Sequence, residues 1–293
     1  MRNFIKYPSL KLKPRRDYCA PVGPSFRFAW KRRIDLLGSR LEFRAPGHAP
    51  APSRWEEKLG PGPHTRSGAG FRTCRLMPGE SWEEASLFRR LWDFYGLWFV
   101  GRVARVYCYG AVLRPKQLGE SINFLHPSAF ESAVLGYITA KWGHDVDEDD
   151  GIPFQRAPVC WRPLKEMPVP AVVLDVQQAV SYAGSNYRLL FFPISADRIV
   201  CFSFCYDQYC TGPLEERDSK ISPEPLLELI DNVIASMRFT PSAELQQAID
   251  EVKQQCPDLS VSPECQPLKW PAHVDKDGIT IVEYDRRRYP EYI

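Results

Sequence analysis

Two short stretches near the start of the chain alternate apolar and polar residues. In Ser25–Trp30 every second residue is aromatic, and in Arg40–Ala45 apolar positions again recur with a period of two. This spacing is typical of half-buried β-strands, because successive side chains of a strand point to opposite faces. We therefore predict two strands joined through Asp35–Gly38, which ends in a turn-forming glycine.

Two apolar stripes with helical spacing follow, each behind a capping-box pattern. Ser81 and Glu84 precede the stripe in Leu87–Tyr95, and Ser128 and Glu131 open a second stripe. In a capping box, the serine hydroxyl accepts from the amide three residues later while the acidic side chain reaches back. We predict a helix at each position, and Gly143 is a plausible end for the second.

The rest of the chain is richer in sequence runs that predict strands. β-type runs predict strands at Arg102–Leu113, Val169–Val176, Tyr187–Phe192, Arg198–Tyr206 and Ile279–Tyr284. Short connections between the second, third and fourth of these, at Gly184–Asn186 and Ser195–Asp197, indicate an antiparallel meander. Two helices are predicted after the meander, starting at Pro223 and Pro241, because proline is favoured in a first helical turn.

This order of elements predicts an α+β fold of antiparallel sheets with packed helices, built as one unit or as two α/β sandwich-like halves. We expect an N-terminal α+β domain at 1–150 and a C-terminal α+β domain, with the meander and two helices, at 151–293. A Pro- and Gly-rich excursion at 46–80 interrupts the first domain. Loops of this length are usually functional or mobile.

Charge is distributed unevenly along the chain. The 293 residues carry a net charge of only +2, but residues 1–75 hold 17 Lys/Arg against 5 Asp/Glu, and residues 141–293 hold 15 against 25. Such polarity steers charged partners to particular faces. We recognise neither a secretory signal nor an apolar run of the ~20 residues that span a bilayer. The nine cysteines are irregularly spaced, so we expect reduced thiols and a cytoplasmic protein.

The densest charge cluster is an acidic run of five carboxylates, Asp145, Asp147, Glu148, Asp149 and Asp150. Its start is similar to a calcium-binding loop, which needs Gly at position six and Glu at position twelve. The chain has Asp150 and Arg156 there. Two interpretations stay open: a solvated loop after a helix, or an acidic surface that docks on a basic surface of a partner. We take the five carboxylates as candidate partner-binding residues.

No motif indicates catalysis, a metal ion or a cofactor. Cys201, Cys205 and Cys210 are spaced like metal ligands, but they form no C-x-x-C pair and have no nearby histidine. On a strand, Cys201 and Cys205 share a face, and buried thiols are the simpler interpretation. Nucleophile-elbow, Walker and dinucleotide-binding motifs are missing from the sequence. We therefore predict that the protein is not an enzyme and holds no metal or cofactor.

Aromatic and cationic residues are interleaved from Phe26 to Arg33. Surfaces that bind single-stranded nucleic acid combine these residue types, because bases stack on aromatic rings and phosphates bind cations. An ordinary half-buried strand explains the same alternation with fewer assumptions. We therefore expect no nucleic-acid partner.

Several short segments of the sequence are similar to one class of bacterial proteins. They are Leu41–Pro46, Trp161–Leu164, Pro168–Ala171, Phe191–Ser195 and Leu229–Met237. These segments resemble immunity proteins encoded beside type VI secretion effectors. The predicted strand meander and the helix after it faintly resemble the PsbP-like sandwiches of effector chaperones. The resemblance implies a cognate toxin as partner and no chemistry, and a nuclease that acts in the cytosol fits the acidic C-terminal half. The alternatives are an effector-loading chaperone, a hydrolase and a nucleic-acid-binding protein.

Overall fold

The structure is a computed structural model, which describes residues 18–47, 71–73, 82–96, 101–119, 122–143, 153–179, 185–210, 212, 214–268 and 270. The late strand predicted at Ile279–Tyr284 and most of the excursion at 46–80 lie outside these residues. None of the described helices combines the length and the apolar character needed to cross a membrane.

The described chain has the predicted α+β architecture, with two antiparallel sheets and four α-helices. The larger sheet has seven strands in the order β3-β4-β5-β9-β8-β7-β6. Its strands are β3 (Arg72–Thr73), β4 (Trp82–Tyr95), β5 (Arg102–Pro115), β6 (Gln155–Pro163), β7 (Val172–Gln178), β8 (Asn186–Ser195) and β9 (Arg198–Gln208). The predicted meander is confirmed, because β7, β8 and β9 are neighbours and pair antiparallel.

The helix predicted from Ser81 to Tyr95 is wrong, because Trp82–Tyr95 forms strand β4. β4 pairs with β5 along its whole length, and a register shift lies between Ser86 and Phe88. A bulge of this kind moves the following side chains to the other face of the strand. The period-two pattern is therefore broken in the sequence. Glu83, which the helix would place in its first turn, instead accepts from the Arg114 Nε at 2.6 Å across the strand pair.

The smaller sheet has the order β1-β2-β10, with β1 at Trp30–Leu36, β2 at Ser39–Ala45 and β10 at Arg238–Thr240. A two-residue turn joins β1 to β2, and both turn residues have positive φ, 52° at Leu37 and 84° at Gly38. This is the signature of a type I′ turn, whose twist matches that of a hairpin. β10 comes from a much later part of the chain and pairs antiparallel with residues 40–42 of β2.

The four α-helices are α1 (Pro127–Trp142), α2 (Leu214–Lys220), α3 (Glu224–Ala235) and α4 (Ala243–Gln255). α1, α3 and α4 confirm predicted helices, and α1 ends at Gly143 as expected. The capping box predicted at the start of α1 does not form, because His126 is the N-cap and makes no side-chain cap hydrogen bond. Ser128 Oγ hydrogen-bonds the His126 ring at 2.8 Å, and Glu131 accepts from the backbone amide and the hydroxyl of Ser262.

An apolar core lies on each face of the large sheet. On one face α1 covers the strands, and the Tyr137 ring meets the Phe191 ring edge-on with their centroids 5.7 Å apart. On the other face lie the small sheet, α3 and α4, where the Phe43 ring contacts the Phe202 ring at 5.5 Å. The molecule therefore has three layers, and the outer face of the small sheet forms part of its surface.

Both sheets join strands from either side of residue 150. In the large sheet β5 pairs with β9, and in the small sheet β2 pairs with β10. The boundary predicted between 1–150 and 151–293 therefore does not separate two sheets, because long-range strand pairing crosses it.

Candidate functional site

The acidic run from Asp145 to Asp150 lies outside the described residues, directly after α1. Its assignment as a partner-binding surface therefore stays a prediction. Within the described ranges, no three His, Cys, Asp or Glu side chains are grouped closely enough to hold a metal ion.

The β9 cysteines behave as the alternation predicted. Cys201 packs in the core beneath α1, whereas Phe202 and Phe204 belong to the core on the opposite face. Burial, together with the nearby Asp207 carboxylate, raises the pKa of Cys205 to about 12. Its thiol is therefore protonated near neutral pH, and it lacks the thiolate that nucleophilic catalysis requires.

A polar cluster at one end of the large sheet was not found by sequence reasoning. The buried Asp93 carboxylate accepts from the Arg105 Nε at 2.7 Å and from Arg102 at 3.3 Å. Burial also raises the pKa of Asp207, although Ser185 hydrogen-bonds its carboxylate. These residues come from β4, β5 and β9, which are adjacent only in the folded sheet. The ion pairs satisfy buried charges, so we assign them a structural role.

A cleft of about 1030 Å³ lies at the start of α1 and is partly lined by His126, Ser128, Glu131 and Asp258. The His126 ring and the Ser128 hydroxyl are 2.8 Å apart, which is a distance suited to activating a nucleophile. However, Glu131 is committed to Ser262. The hydrogen bond given for the His126 ring in the described chain is the one with Ser128, whereas a catalytic triad also needs a carboxylate that orients the imidazole.

The most exposed aromatic residues of the described chain lie together at the start of the small sheet. Phe28 is 74% exposed and Trp30 is 65% exposed. Lys31 and Arg33 follow them and are also exposed, and Arg32 is partly exposed. We call these five residues the aromatic edge. Large exposed aromatic side chains beside cations are typical of interaction surfaces.

The half-buried strand predicted at Ser25–Trp30 is wrong. Phe26–Phe28 forms a single 3-10 turn, in which the Ser25 hydroxyl accepts from the Arg27 amide at 3.2 Å. β1 begins at Trp30, where the predicted strand was expected to end. One signal in the sequence could have revealed this. A two-residue turn at Leu37-Gly38 places Trp30 opposite Ala45, so β1 must span residues 30–36.

The outer face of the small sheet is basic. Exposed or partly exposed side chains on this face alternate with the buried residues of β1, β2 and β10. They are the cations Lys31, Arg33, Arg40, Arg44 and Arg238 and the carboxylates Asp35 and Glu42. Two ion pairs form within this set, Lys31–Glu42 at 3.0 Å and Arg33–Asp35 at 3.3 Å. Three further cations give the face a positive excess.

Hydrogen bonds hold the aromatic edge in place. The Arg44 guanidinium donates to the Ala29 carbonyl from Nε and Nη2, each at 3.2 Å, and lies 5.3 Å from the centre of the Phe26 ring. Arg32 lies over the Trp30 ring at 5.4 Å. The backbone of the turn before β1 is thus tied to β2 at Ala29, between Phe28 and Trp30. A preformed surface loses less entropy when a partner binds.

The described geometry therefore offers an aromatic and cationic surface suited to recognition. Comparisons with known proteins add no assignment to it: no protein-family model, no curated protein and no solved structure matches this chain.

Proposed function

We propose that this protein acts in the cytosol by binding another protein, and that its partner is a secreted bacterial toxin that it neutralises. The observation that carries the proposal is the exposure of Phe28 and Trp30 beside Lys31 and Arg33. Tryptophan and arginine are enriched among the residues that dominate binding energy at protein interfaces. The toxin as the kind of partner rests on the resemblance of the sequence to immunity proteins.

Two oppositely charged parts of the chain, one of them known from the sequence alone, bear on the choice of partner. The aromatic edge suits an acidic region of the toxin, whereas the acidic run at Asp145–Asp150 suits a basic one, such as the substrate groove of a nuclease. The nuclease as target therefore depends on the acidic run alone. Contact through the aromatic edge does not require it.

Co-purification from the native host, together with co-expression with any toxin-domain gene found beside this gene, tests the proposal. We expect the wild-type chain to protect cells and to co-purify with the toxin. The double variant Phe28→Ser/Trp30→Ser should bind about 30-fold more weakly, if the two aromatic side chains together contribute on the order of 2 kcal/mol. A matched control is Tyr18→Ser/Val22→Ser, which removes two other exposed apolar side chains. Absence of both protection and co-purification would overturn the proposed function.

Binding of single-stranded nucleic acid is the second candidate, and the stacking of Arg32 on Trp30 and of Arg44 on Phe26 favours it. Such sites combine aromatic platforms with a cationic groove. A titration with an oligothymidylate at two salt concentrations distinguishes the candidates. Nucleic-acid binding would be lost steeply as the salt concentration rises, because counterions are released from the phosphates.

A further inference from the structure

A second, smaller cavity adjoins the cleft at the start of α1. It has a volume of about 190 Å³ and lies between the β6–β7 connection and the segment that follows α4. The two cavities share lining residues, among them Lys165 and Val261. We call the smaller cavity the side pocket. Its apolar lining residues are Pro163, Leu164, Met167, Pro168, Val169, Ala171, Leu259 and Val261.

The size and the lining of the side pocket suit one large apolar group. An apolar cavity of about 150 Å³ holds a benzene ring, so the side pocket has room for a phenylalanine or leucine side chain. Leu164, Met167 and Leu259 pack against the apolar core but stay partly exposed. An apolar group in the pocket would remove their exposed surface from water, which favours binding.

Hydrogen bonds hold both walls of the side pocket. In the β6–β7 connection, the Leu164 amide donates to the Ala171 carbonyl at 3.0 Å. In the segment after α4, the Ser262 carbonyl accepts from the Trp161 Nε1 at 2.7 Å, and the Ser262 hydroxyl donates to Glu131 at 2.9 Å. The pocket is therefore present before a partner binds, and less entropy is lost on binding.

Two lysines give the side pocket a positive rim. Lys165 and Lys253 both line it and are exposed. Among the described residues, Asp258 is the one carboxylate that lines it, and its Oδ1 already accepts from the Ser260 amide at 2.8 Å. Neither lysine takes part in an ion pair within the part of the chain that the structure describes. Two ammonium groups against one carboxylate leave a positive excess, which attracts a carboxylate of a partner.

We propose that the side pocket binds a segment of the partner protein in which an apolar side chain stands directly beside an acidic one. The apolar side chain fills the pocket, and the carboxylate pairs with Lys165 and Lys253. The adjoining cleft of about 1030 Å³ gives room for the backbone of the segment. This inference rests on the proposed function and names a part of the partner that the chain recognises.

Charge in the cleft itself fixes where the acidic residue of the segment lies. Glu131 and Glu166 line the cleft but not the side pocket. Because like charges repel, a carboxylate of the partner avoids the cleft and lies at the two lysines. The same repulsion disfavours a nucleic acid, since its phosphates would run along the carboxylates of the cleft. An acidic and apolar protein segment therefore fits this surface better than a nucleic acid does.

The test follows the methyl group of Met167, which lines the side pocket. The full-length chain is labelled with carbon-13 at its methionine methyl groups and titrated with the peptide acetyl-Gly-Gly-Phe-Glu-Gly-Gly-amide. We expect the peptide to shift the Met167 resonance, which Met167→Leu assigns, and to leave the resonance of the buried Met237 in place. Three control peptides replace Phe by Ser, Glu by Gln or Glu by Lys.

Matched changes in peptide and protein assign the contacts. Replacing Phe by Ser should weaken binding about tenfold, because burial of an aromatic ring is lost. Lys165→Gln/Lys253→Gln should weaken binding of the Glu peptide about fivefold and leave that of the Gln peptide unchanged, since this cycle isolates the charge contact. Lys116→Gln/Arg156→Gln changes the net charge equally and should have no effect, because neither residue lines either cavity.

Three results would overturn the inference: no shift of the Met167 resonance with any peptide, equal binding of the Glu and Lys peptides, or equal effects of the two double variants. If the toxin still co-purifies with the chain in that case, the proposed function stands and only this inference fails. If the Glu peptide binds the side pocket but no toxin is neutralised, the proposed function fails and the pocket remains a binding site.

Discussion

Replacement of Arg188 by methionine should destabilise the protein strongly. Arg188 lies on β8 and donates to both oxygens of Asp175, at 2.8 and 2.9 Å, while its Nη1 reaches Asp231 of α3 at 2.9 Å. Asp175 is only 3% exposed. The pair therefore neutralises a buried carboxylate and also ties the sheet to a helix of the neighbouring layer.

The magnitude follows from the burial of Asp175. Removing one partner of a buried ion pair costs about 3–5 kcal/mol, because the remaining charge is left without compensation. For a chain of this size, each kcal/mol lowers the melting temperature by about 2–4 °C. We expect Arg188→Met to lower the melting temperature by about 10 °C.

Urea unfolding monitored by circular dichroism measures the loss, and two further variants identify its cause. Arg162 also donates to Asp231, at 3.3 Å, but both side chains are exposed or nearly so. Arg162→Met should therefore cost less than about 1 kcal/mol. Adding Asp175→Asn to Arg188→Met should recover about 2 kcal/mol, because it removes the unpaired charge.

Two results would refute this reasoning. One is an Arg188→Met variant whose free energy of unfolding falls by no more than that of Arg162→Met. The other is a double variant that is no more stable than Arg188→Met alone, because the penalty would then not come from the buried charge of Asp175.

Three further predictions concern the hairpin turn, Asp207 and the cysteines. Gly38→Ala should cost about 1 kcal/mol in urea unfolding because the backbone there has φ 84°, whereas Gly47→Ala, with open space at its Cβ, should be near neutral; equal costs would contradict the turn assignment. Burial raises the pKa of Asp207, so its stabilising contribution is present at acid pH and is lost as pH rises through the folded-state pKa. Asp207→Asn should therefore gain stability relative to the wild type as the pH rises above about 4, the ordinary pKa of aspartate, and a difference that stays constant with pH would refute the assignment. Iodoacetamide should label the exposed Cys160 of the native protein but not Cys205, whose pKa is about 12; mass spectrometry checks this, and equal labelling would mean that Cys205 is not protected.

Local signals in the sequence were sufficient where neighbouring residues dominate the structure. The meander β7–β9 and the helices α3 and α4 follow from short-range periodicity, short connections and helix-start residues. The separation of Cys201 from Phe202 onto opposite faces also follows, because it depends only on the strand period.

The sequence did not predict β4, because its residues satisfy helical spacing equally well and a bulge hides their alternation. The decision came from β5, whose backbone groups pair with β4 over its full length. Tertiary pairing of this kind outweighs local propensity, because an unpaired buried strand would leave many hydrogen-bonding groups unsatisfied.

For the candidate site, too, the sequence determined some features and the tertiary structure decided others. The sequence determined that aromatic and cationic residues are interleaved from Phe26 to Arg33 and that the chain is basic at its start. Only the tertiary structure decided that Phe28 and Trp30 face solvent, because exposure depends on where β1 starts in its register with β2. Among the described strands it also placed β1 beside β2 alone, since β10, which comes from some 200 residues later in the chain, occupies the opposite side of β2. Alternation along a strand fixes which side chains share a face, but packing against distant residues decides which face is buried.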